Sequence, residues 1–188
     1  LWLLIFVALT IYIVYQWCRD KKAKILKIII FAFALTMSLY MSSGFLGNPL
    51  KHVSAFLPPE EETLNANHYN DYEQGLAAAK RQNKPCFIDF TGYGCVNCRK
   101  MEAAVFTDAE IKDMLSQEYI VIRLFVDDRR NGIGKKWSQL QQERYGANAQ
   151  PYYIITDDSG IPLLPARGYD EDVMAFREFL KLGISNNK

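Results

Sequence analysis

Two cysteines three residues apart stand out in this chain, because they occupy a place where thiols could react. Cys95 and Cys98 follow the apolar, strand-like run 87–90 after a short loop with two glycines, and helix-forming residues come next. At a helix start, free backbone N–H groups and the helix dipole stabilise the Cys95 thiolate, the attacking form of a thiol. Cys98, one helical turn later, can attack a mixed disulfide on Cys95 and release the partner. The spacing therefore predicts dithiol/disulfide exchange.

A zinc half-site and a purely structural disulfide are the alternatives for such a cysteine pair. Tetrahedral zinc needs two more ligands. Cys86 lies in the middle of a strand-like run, Cys18 lies beside an apolar segment, and the histidines, His52 and His68, are distant in sequence. We therefore expect no metal site, and we expect Cys86 to be a buried, inert thiol.

An acid lies on the strand that leads to the cysteines. Asp89 interrupts an otherwise apolar run, and an acid is costly to bury without a task. Burial raises the pKa of a carboxyl group, which would make Asp89 a proton acceptor or donor for Cys98. The alternative is that the alternation of the strand turns Asp89 to solvent.

Hydrophobic periodicity and turn residues predict the elements that position these side chains. Asn70 as N-cap with Glu73 three residues later predicts the start of a helix, and TDAE at 107–110 is a capping box that opens another. The segment 127–130 is typical of a solvated turn. The predicted helices cover 70–83, 95–106, a short stretch after 107, 137–146 and 170–183, and the predicted strands cover 86–90, 119–128, 152–157 and 161–168. This alternation indicates an α/β sheet covered by helices.

Two apolar runs precede this domain. Residues 1–17 carry no charge, and residues 25–47 carry only Lys27. A bilayer core takes about 20 apolar residues in a helix, so we expect 1–47 to form two transmembrane helices, the first of them truncated, with more chain upstream. Two buried core helices are the alternative, but neither run has a polar face. The basic segment 18–24 predicts a cytoplasmic loop, which places the rest of the chain outside the inner membrane.

Charge and composition limit the remaining possibilities. The net charge is +1, but residues 1–46 hold five Lys or Arg and one acid, so the rest of the chain is mildly acidic and gives no support to nucleic-acid binding. Residues 48–67 contain three prolines and an acidic triplet, which predicts a linker before a domain at 68–188.

The stretch FIDFTGYGCVNCRK, 87–100, resembles the thioredoxin signature: a strand, a buried acid, a short loop, CxxC and a basic residue. CVNCRKME behind two apolar segments more specifically resembles the C-terminal part of the DsbD family of thiol:disulfide interchange proteins. The resemblance implies a thioredoxin-like fold with a central mixed β-sheet flanked by helices. It also implies no bound cofactor other than the redox-active Cys95–Cys98 disulfide.

The resemblance also assigns further site residues. It identifies Glu102 as a second acid that tunes the thiols, although a solvated helix acid is the alternative. It implies a cis peptide bond between Gln150 and Pro151, beside the cysteines, where the backbone of Gln150 would pair with an extended partner segment. Gly94 stands where relatives usually have an aromatic residue, so the docking surface would be built differently, with Tyr93.

The resemblance implies a membrane-tethered protein-disulfide reductase. It would take electrons from an upstream membrane domain with redox cysteines and pass them to periplasmic thiol-disulfide carrier proteins. Two alternatives stay open. One is an anchored thioredoxin-like enzyme without a transmembrane relay, acting in cytochrome c maturation or as an oxidase or isomerase. The other is a non-catalytic interaction module that keeps the fold.

Overall fold

The computed structural model describes residues 2–19, 25–45 and 68–187 of the chain. The chain divides into two compact units, Leu1–Leu50 and Lys51–Lys188. The predicted linker, 48–67, and most of the predicted loop 18–24 lie outside the described residues.

The first unit consists of helices α1, Trp2–Arg19, and α2, Ile25–Phe45, which pack against each other. The Phe6 and Phe33 rings meet edge to face, with centroids 6.3 Å apart. Much of the apolar surface of the two helices remains exposed, including Leu4, Ile11 and Leu39. Within the described residues, no helix combines the length and apolar character needed to cross a membrane.

The second unit alternates strands and helices. Its strands are β1, His68–Tyr69; β2, Cys86–Thr91; β3, Ile120–Phe125; and β4, Tyr152–Thr156. Its helices are α3, Tyr72–Gln82; α4, Val96–Ala104; α5, Ala109–Gln117; α6, Ile133–Tyr145; and α7, Val173–Asn186.

The four strands form one mixed sheet in the order β1-β3-β2-β4. β3 pairs in parallel with β1 and β2, whereas β4 runs antiparallel to β2. Two hydrophobic clusters of buried side chains, one around Phe87 and Val121 and the other around Ile88 and Ile122, share the interior strands. Because neighbouring residues of a strand face opposite sides, the sheet is covered on both faces. The predicted α/β fold with a central mixed sheet flanked by helices is confirmed.

Both predicted capping boxes are displaced by one residue. Asp71, not Asn70, caps α3, because its side chain accepts a hydrogen bond from the backbone N–H of Gln74. Asp108, not Thr107, caps α5 by accepting from the N–H of Ile111. The neighbouring aspartates reach the N–H three residues ahead, and a carboxylate is also favoured by the helix dipole.

The predicted strand at 161–168 is wrong as a continuous element. Two isolated antiparallel bridges, Thr156 with Pro162 and Tyr153 with Arg167, join this segment to β4. Proline has no backbone N–H to donate to a sheet, so Pro165, which lies between the two bridges, interrupts the pairing.

Candidate functional site

Cys95 and Cys98 lie at the N-terminus of α4 and are joined by a disulfide bond. Cys95 is the N-cap residue, and its sulfur accepts a hydrogen bond from the backbone N–H of Cys98 at 3.1 Å. Cys95 is partly exposed, whereas Cys98 is only 2% exposed. The two sulfurs therefore differ in access: a protein partner can reach the first, and the second is shielded.

The loop before Cys95 is held by an aspartate that follows β3. The Asp127 carboxylate accepts hydrogen bonds from the N–H groups of Tyr93 and Gly94, both at 2.8 Å. A Cβ atom at Gly92 would lie 3.0 Å from this carboxylate, so glycine permits the close approach. The cysteine loop is thus fixed to the end of the neighbouring strand.

The segment 127–130 is largely the solvated turn that was predicted, since Asp127, Arg129 and Arg130 are exposed, but it also has a structural role. Asp127 binds the cysteine loop, and Asp128 is buried and forms an ion pair with Arg130 at 2.6 Å. Arg130 also donates to the hydroxyl group of Tyr93 at 2.9 Å. Tyr93 itself is exposed and stacks on Phe125, with ring centroids 4.2 Å apart. The turn supports the aromatic side chain next to the cysteines.

Asp89 lies inside the sheet and does not turn to solvent. All six residues of β2 are buried, because both faces of the sheet are covered. The Nε of Arg123, its register partner on β3, donates to Asp89 Oδ2 at 3.3 Å. Burial raises the pKa of Asp89, and the nearby Arg123 and Arg99 only partly offset that effect.

Glu102 is buried as well, one turn after Cys98 on α4. Its Oε1 accepts from Arg123 Nη2 at 2.5 Å and lies 2.9 Å from Arg99 Nη2. Burial raises the pKa of Glu102 to about 7, against the opposing effect of the two guanidinium groups. This carboxyl group can therefore gain or lose a proton near neutral pH.

The Gln150–Pro151 peptide bond is cis. Gln141 on α6, fully buried, holds the segment before it: its Nε2 donates to the carbonyl oxygen of Ala149 at 2.9 Å, and its Oε1 accepts from Gln150 Nε2 at 3.1 Å. Pro151 is buried, and Gln150 is half-buried. The loop ahead of β4 is thus fixed by side-chain amides.

Cys86 is a free, fully buried thiol at the start of β2. Burial raises its pKa to about 12, so at neutral pH it stays a thiol and does not act as a nucleophile.

Sequence reasoning missed Arg123, Arg99, Asp127 and Gln141. A signal existed for Arg123, since a lone cation in an apolar strand requires a buried acid as its partner. The i,i+3 spacing of Arg99 and Glu102 was a weaker signal, because such pairs usually lie on helix surfaces. The contacts of Asp127 and Gln141 depend on tertiary packing, which no local pattern encodes.

The chain is similar to known redox proteins. It is 28% identical over 115 residues to a thiol:disulfide interchange protein DsbD from Campylobacter jejuni (strain RM1221), covering 60% of this chain and 20% of that protein. It is 33% identical over 97 residues to a DsbD from Pseudoalteromonas atlantica, covering 51% and 16% respectively. The chain thus spans about a fifth or less of the length of these relatives.

A solved structure titled DsbH oxidoreductase superposes with a TM-score of 0.54 at 20% identity, covering 69% of this chain and 92% of that one, which supports the fold. The family model described as thioredoxin-like matches residues 67–162, about half of the chain and the part that holds both cysteines. A CxxC disulfide at a helix start within this fold is the arrangement of a protein-disulfide oxidoreductase. The chain belongs to the thioredoxin-like family.

Proposed function

We propose that the chain is a membrane-tethered protein-disulfide reductase that relays electrons by dithiol/disulfide exchange from a membrane domain to periplasmic redox proteins. The observation that carries the proposal is the asymmetry of the disulfide, with Cys95 partly exposed at the helix start and Cys98 buried behind it. This asymmetry gives one sulfur for partners and one for resolution.

In the reduced protein, the Cys95 thiolate attacks one sulfur of a partner disulfide, and the other partner sulfur leaves as a thiolate. Cys98 then loses its proton and attacks the Cys95 sulfur, so the bond from Cys95 to the partner breaks. The partner departs as a dithiol after taking up protons, and Cys95–Cys98 is oxidised by two electrons. A dithiol of the membrane domain would reverse these steps on this chain.

Asp89 and Glu102 are the proposed proton acceptors for Cys98. Asp89 Oδ1 has no hydrogen-bond partner among the described residues, which leaves it able to take a proton. Glu102, with its pKa raised to about 7, is suited to return a proton at neutral pH. Two acids that share one pocket titrate as a coupled pair.

The proposed partner-binding residues are Gln150, Pro151 and Tyr93. The side chain of Gln150 is bound to Gln141, which favours a fixed backbone for pairing with an extended partner segment. Tyr93 is 45% exposed and supported from below by Phe125, so it offers a rigid aromatic contact beside Cys95.

The first unit and the similarity to DsbD proteins support the tether and the relay. Residues 1–17 lack charge, and α1 and α2 leave large apolar side chains exposed, such as Ile25 at 77%. Such surfaces suit a lipid bilayer better than water. The relay partners follow from the similarity to DsbD proteins, and the inner membrane with a periplasmic catalytic domain follows from the same similarity.

A reduction assay on the full chain tests the activity. We expect the dithiothreitol-reduced chain to reduce oxidised insulin, and Cys95→Ser to abolish the reaction. The equilibrium with glutathione would then give the redox potential. A potential more oxidising than that of glutathione would contradict a reductase and favour an oxidase or isomerase.

A further inference from the structure

Arg123 is a buried cation in the interior of the sheet. It lies on β3, which is flanked by β1 and β2, and it is 1% exposed. Its guanidinium contacts two acids from different elements, Asp89 on β2 at 3.3 Å and Glu102 on α4 at 2.5 Å. Through these contacts it ties the dithiol helix to both interior strands.

Stability alone does not explain this arrangement. Removing charges from water is costly, and apolar residues of similar volume often serve a core as well as a buried ion pair does. Arg99, 2% exposed, adds a second guanidinium against Glu102 Oε1 at 2.9 Å. Two cations and two acids are therefore buried together, and two of these four residues, Arg99 and Glu102, lie within about one turn of Cys98 on α4.

A neutral aromatic side chain also contributes to the surroundings of the cluster. Tyr153 on β4 is a further titratable group that interacts with the cluster, and burial keeps the pKa of its phenol well above the usual value, so it stays neutral. Within the described residues, Asp89 Oδ1 and the Nε and Nη1 atoms of Arg99 have no hydrogen-bond partner. The cluster thus contains one acceptor and two donor nitrogens that are not used in hydrogen bonds, next to a dithiol that must exchange protons.

We propose that Arg123 is a positioning residue of the dithiol site, which holds Asp89 and Glu102 together against α4 and balances their negative charge next to Cys95 and Cys98. The inference rests on the proposed function and adds to it a residue that acts through the two acids.

The charge balance has a direct consequence for the thiols. Without Arg123, one guanidinium faces two carboxyl groups, so the surroundings of the dithiol lose one positive charge and become more negative. A more negative surrounding disfavours a thiolate. A shift of about one pH unit is what one unit charge produces at roughly 10 Å with an effective dielectric constant of about 20.

The test is the pH dependence of Cys95 alkylation in the reduced full chain, followed on the Cys95 peptide by mass spectrometry. We expect Arg123→Gln to raise the midpoint by about one pH unit. Arg123→Lys keeps the charge and should restore most of the wild-type midpoint. Arg177→Gln is the matched control, because Arg177 also bridges two acids, Asp108 and Glu110, but on α5 and α7. It should leave the midpoint unchanged.

A second pair of variants keeps the test decisive if Arg123→Gln does not fold. Glu102→Gln removes an anion and should lower the midpoint, and adding Arg123→Gln should raise it again. An unchanged midpoint on loss of Arg123, in either background, or equal shifts for Gln and Lys, would overturn the inference. Insulin reduction by the wild-type chain is measured in parallel: its absence counts against the proposed function, whereas the midpoints test Arg123.

Discussion

Cys95 and Cys98 share a bond but differ in exposure, and this difference orders their chemistry. The N-cap position favours a thiolate at Cys95, and the N–H of Cys98 already donates to its sulfur. Cys98, buried one turn later, is positioned to act only on its neighbour. The direction of attack should therefore be visible in single cysteine variants.

We expect Cys98→Ala to accumulate mixed disulfides with partner proteins and Cys95→Ala to accumulate none. Without Cys98, the bond between Cys95 and a partner has no internal route to resolution. Non-reducing gels of the native host, followed by mass spectrometry, would detect the complexes. Cys86→Ala is the control, since its buried thiol should not contribute. Trapping by Cys95→Ala instead would reverse the assigned roles.

Glu102 gives a second prediction, on stability. The folded state raises its pKa from 4.5 to about 7, so between these values the folded protein binds more protons than the unfolded one. The free energy of unfolding therefore falls as pH rises through this window, by about 1–3 kcal/mol. Glu102→Gln should remove that slope, whatever its baseline stability.

Urea denaturation at pH 4.5, 6 and 8 would measure this slope, with Glu178→Gln, an exposed acid on α7, as the control. An equal slope in wild type and Glu102→Gln would contradict the assignment.

Asp89→Asn should likewise alter the pH dependence of thiol alkylation more than it alters the fold, because burial also raises the pKa of Asp89.

Residue types revealed the reacting groups more readily than their supports. The CxxC spacing and an acid in an apolar strand identified Cys95, Cys98 and Asp89, because each is unusual for its local setting. A charged residue in each of two apolar strands suggested that Asp89 and Arg123 could pair. To predict that they lie opposite each other, however, the register of β2 and β3 must be known. Register is set by packing of the whole sheet, so sequence alone did not give the pair.

At the scale of elements, the loop from β2 to α4 depends on the turn that follows β3. Asp127 accepts from two successive N–H groups of that loop, which fixes the backbone leading to Cys95. Strand cores were predictable from local pattern, and the starts of α3 and α5 to within a residue or two, whereas this contact joins residues 33 and 34 positions apart. Contacts at such separation leave no periodic trace in the sequence.

We expect Asp127→Ala to loosen this loop and leave the sheet intact. The amide protons of Tyr93 and Gly94 lose their acceptor, so they should exchange with solvent at least about tenfold faster, the factor that corresponds to the loss of about 1.4 kcal/mol of protection. Hydrogen exchange followed by NMR would measure them, with Asp113→Ala on the exposed face of α5 as the control. Unchanged exchange rates would show that the conformation of the loop does not depend on Asp127.

Close packing at the start of α6 requires a glycine at position 134. A Cβ atom there would meet backbone atoms of Asp128 and Val126 at 2.6 Å, and backbone cannot move aside as a side chain can. Gly134→Ala should therefore lower the free energy of unfolding by about 1–3 kcal/mol. Gly168→Ala, whose nearest contact would be an ordinary 3.7 Å, should be nearly neutral in the same thermal or urea unfolding experiment.

At the scale of the whole molecule, the two units have different surfaces. The thioredoxin-like unit buries most of its large apolar side chains in two clusters on the sheet, whereas α1 and α2 expose many of the large apolar side chains described there. In the proposed tether, those exposed apolar side chains contact the lipid bilayer. It also assigns a side of the membrane to each charged segment, because basic loops stay in the cytoplasm.

We expect Cys95 to be accessible from outside the inner membrane and the segment 18–24 to be accessible only from inside. A membrane-impermeant maleimide, applied to spheroplasts that express Cys98→Ala, should label the freed Cys95 thiol. In a Cys95→Ala/Cys98→Ala background, K22C should be labelled only after lysis, because Lys22 belongs to the basic loop. Labelling of Cys95 only after lysis would reverse the proposed topology. Labelling of both positions in intact spheroplasts would show that no membrane separates them. Either result would leave the dithiol chemistry standing and require a different source of electrons.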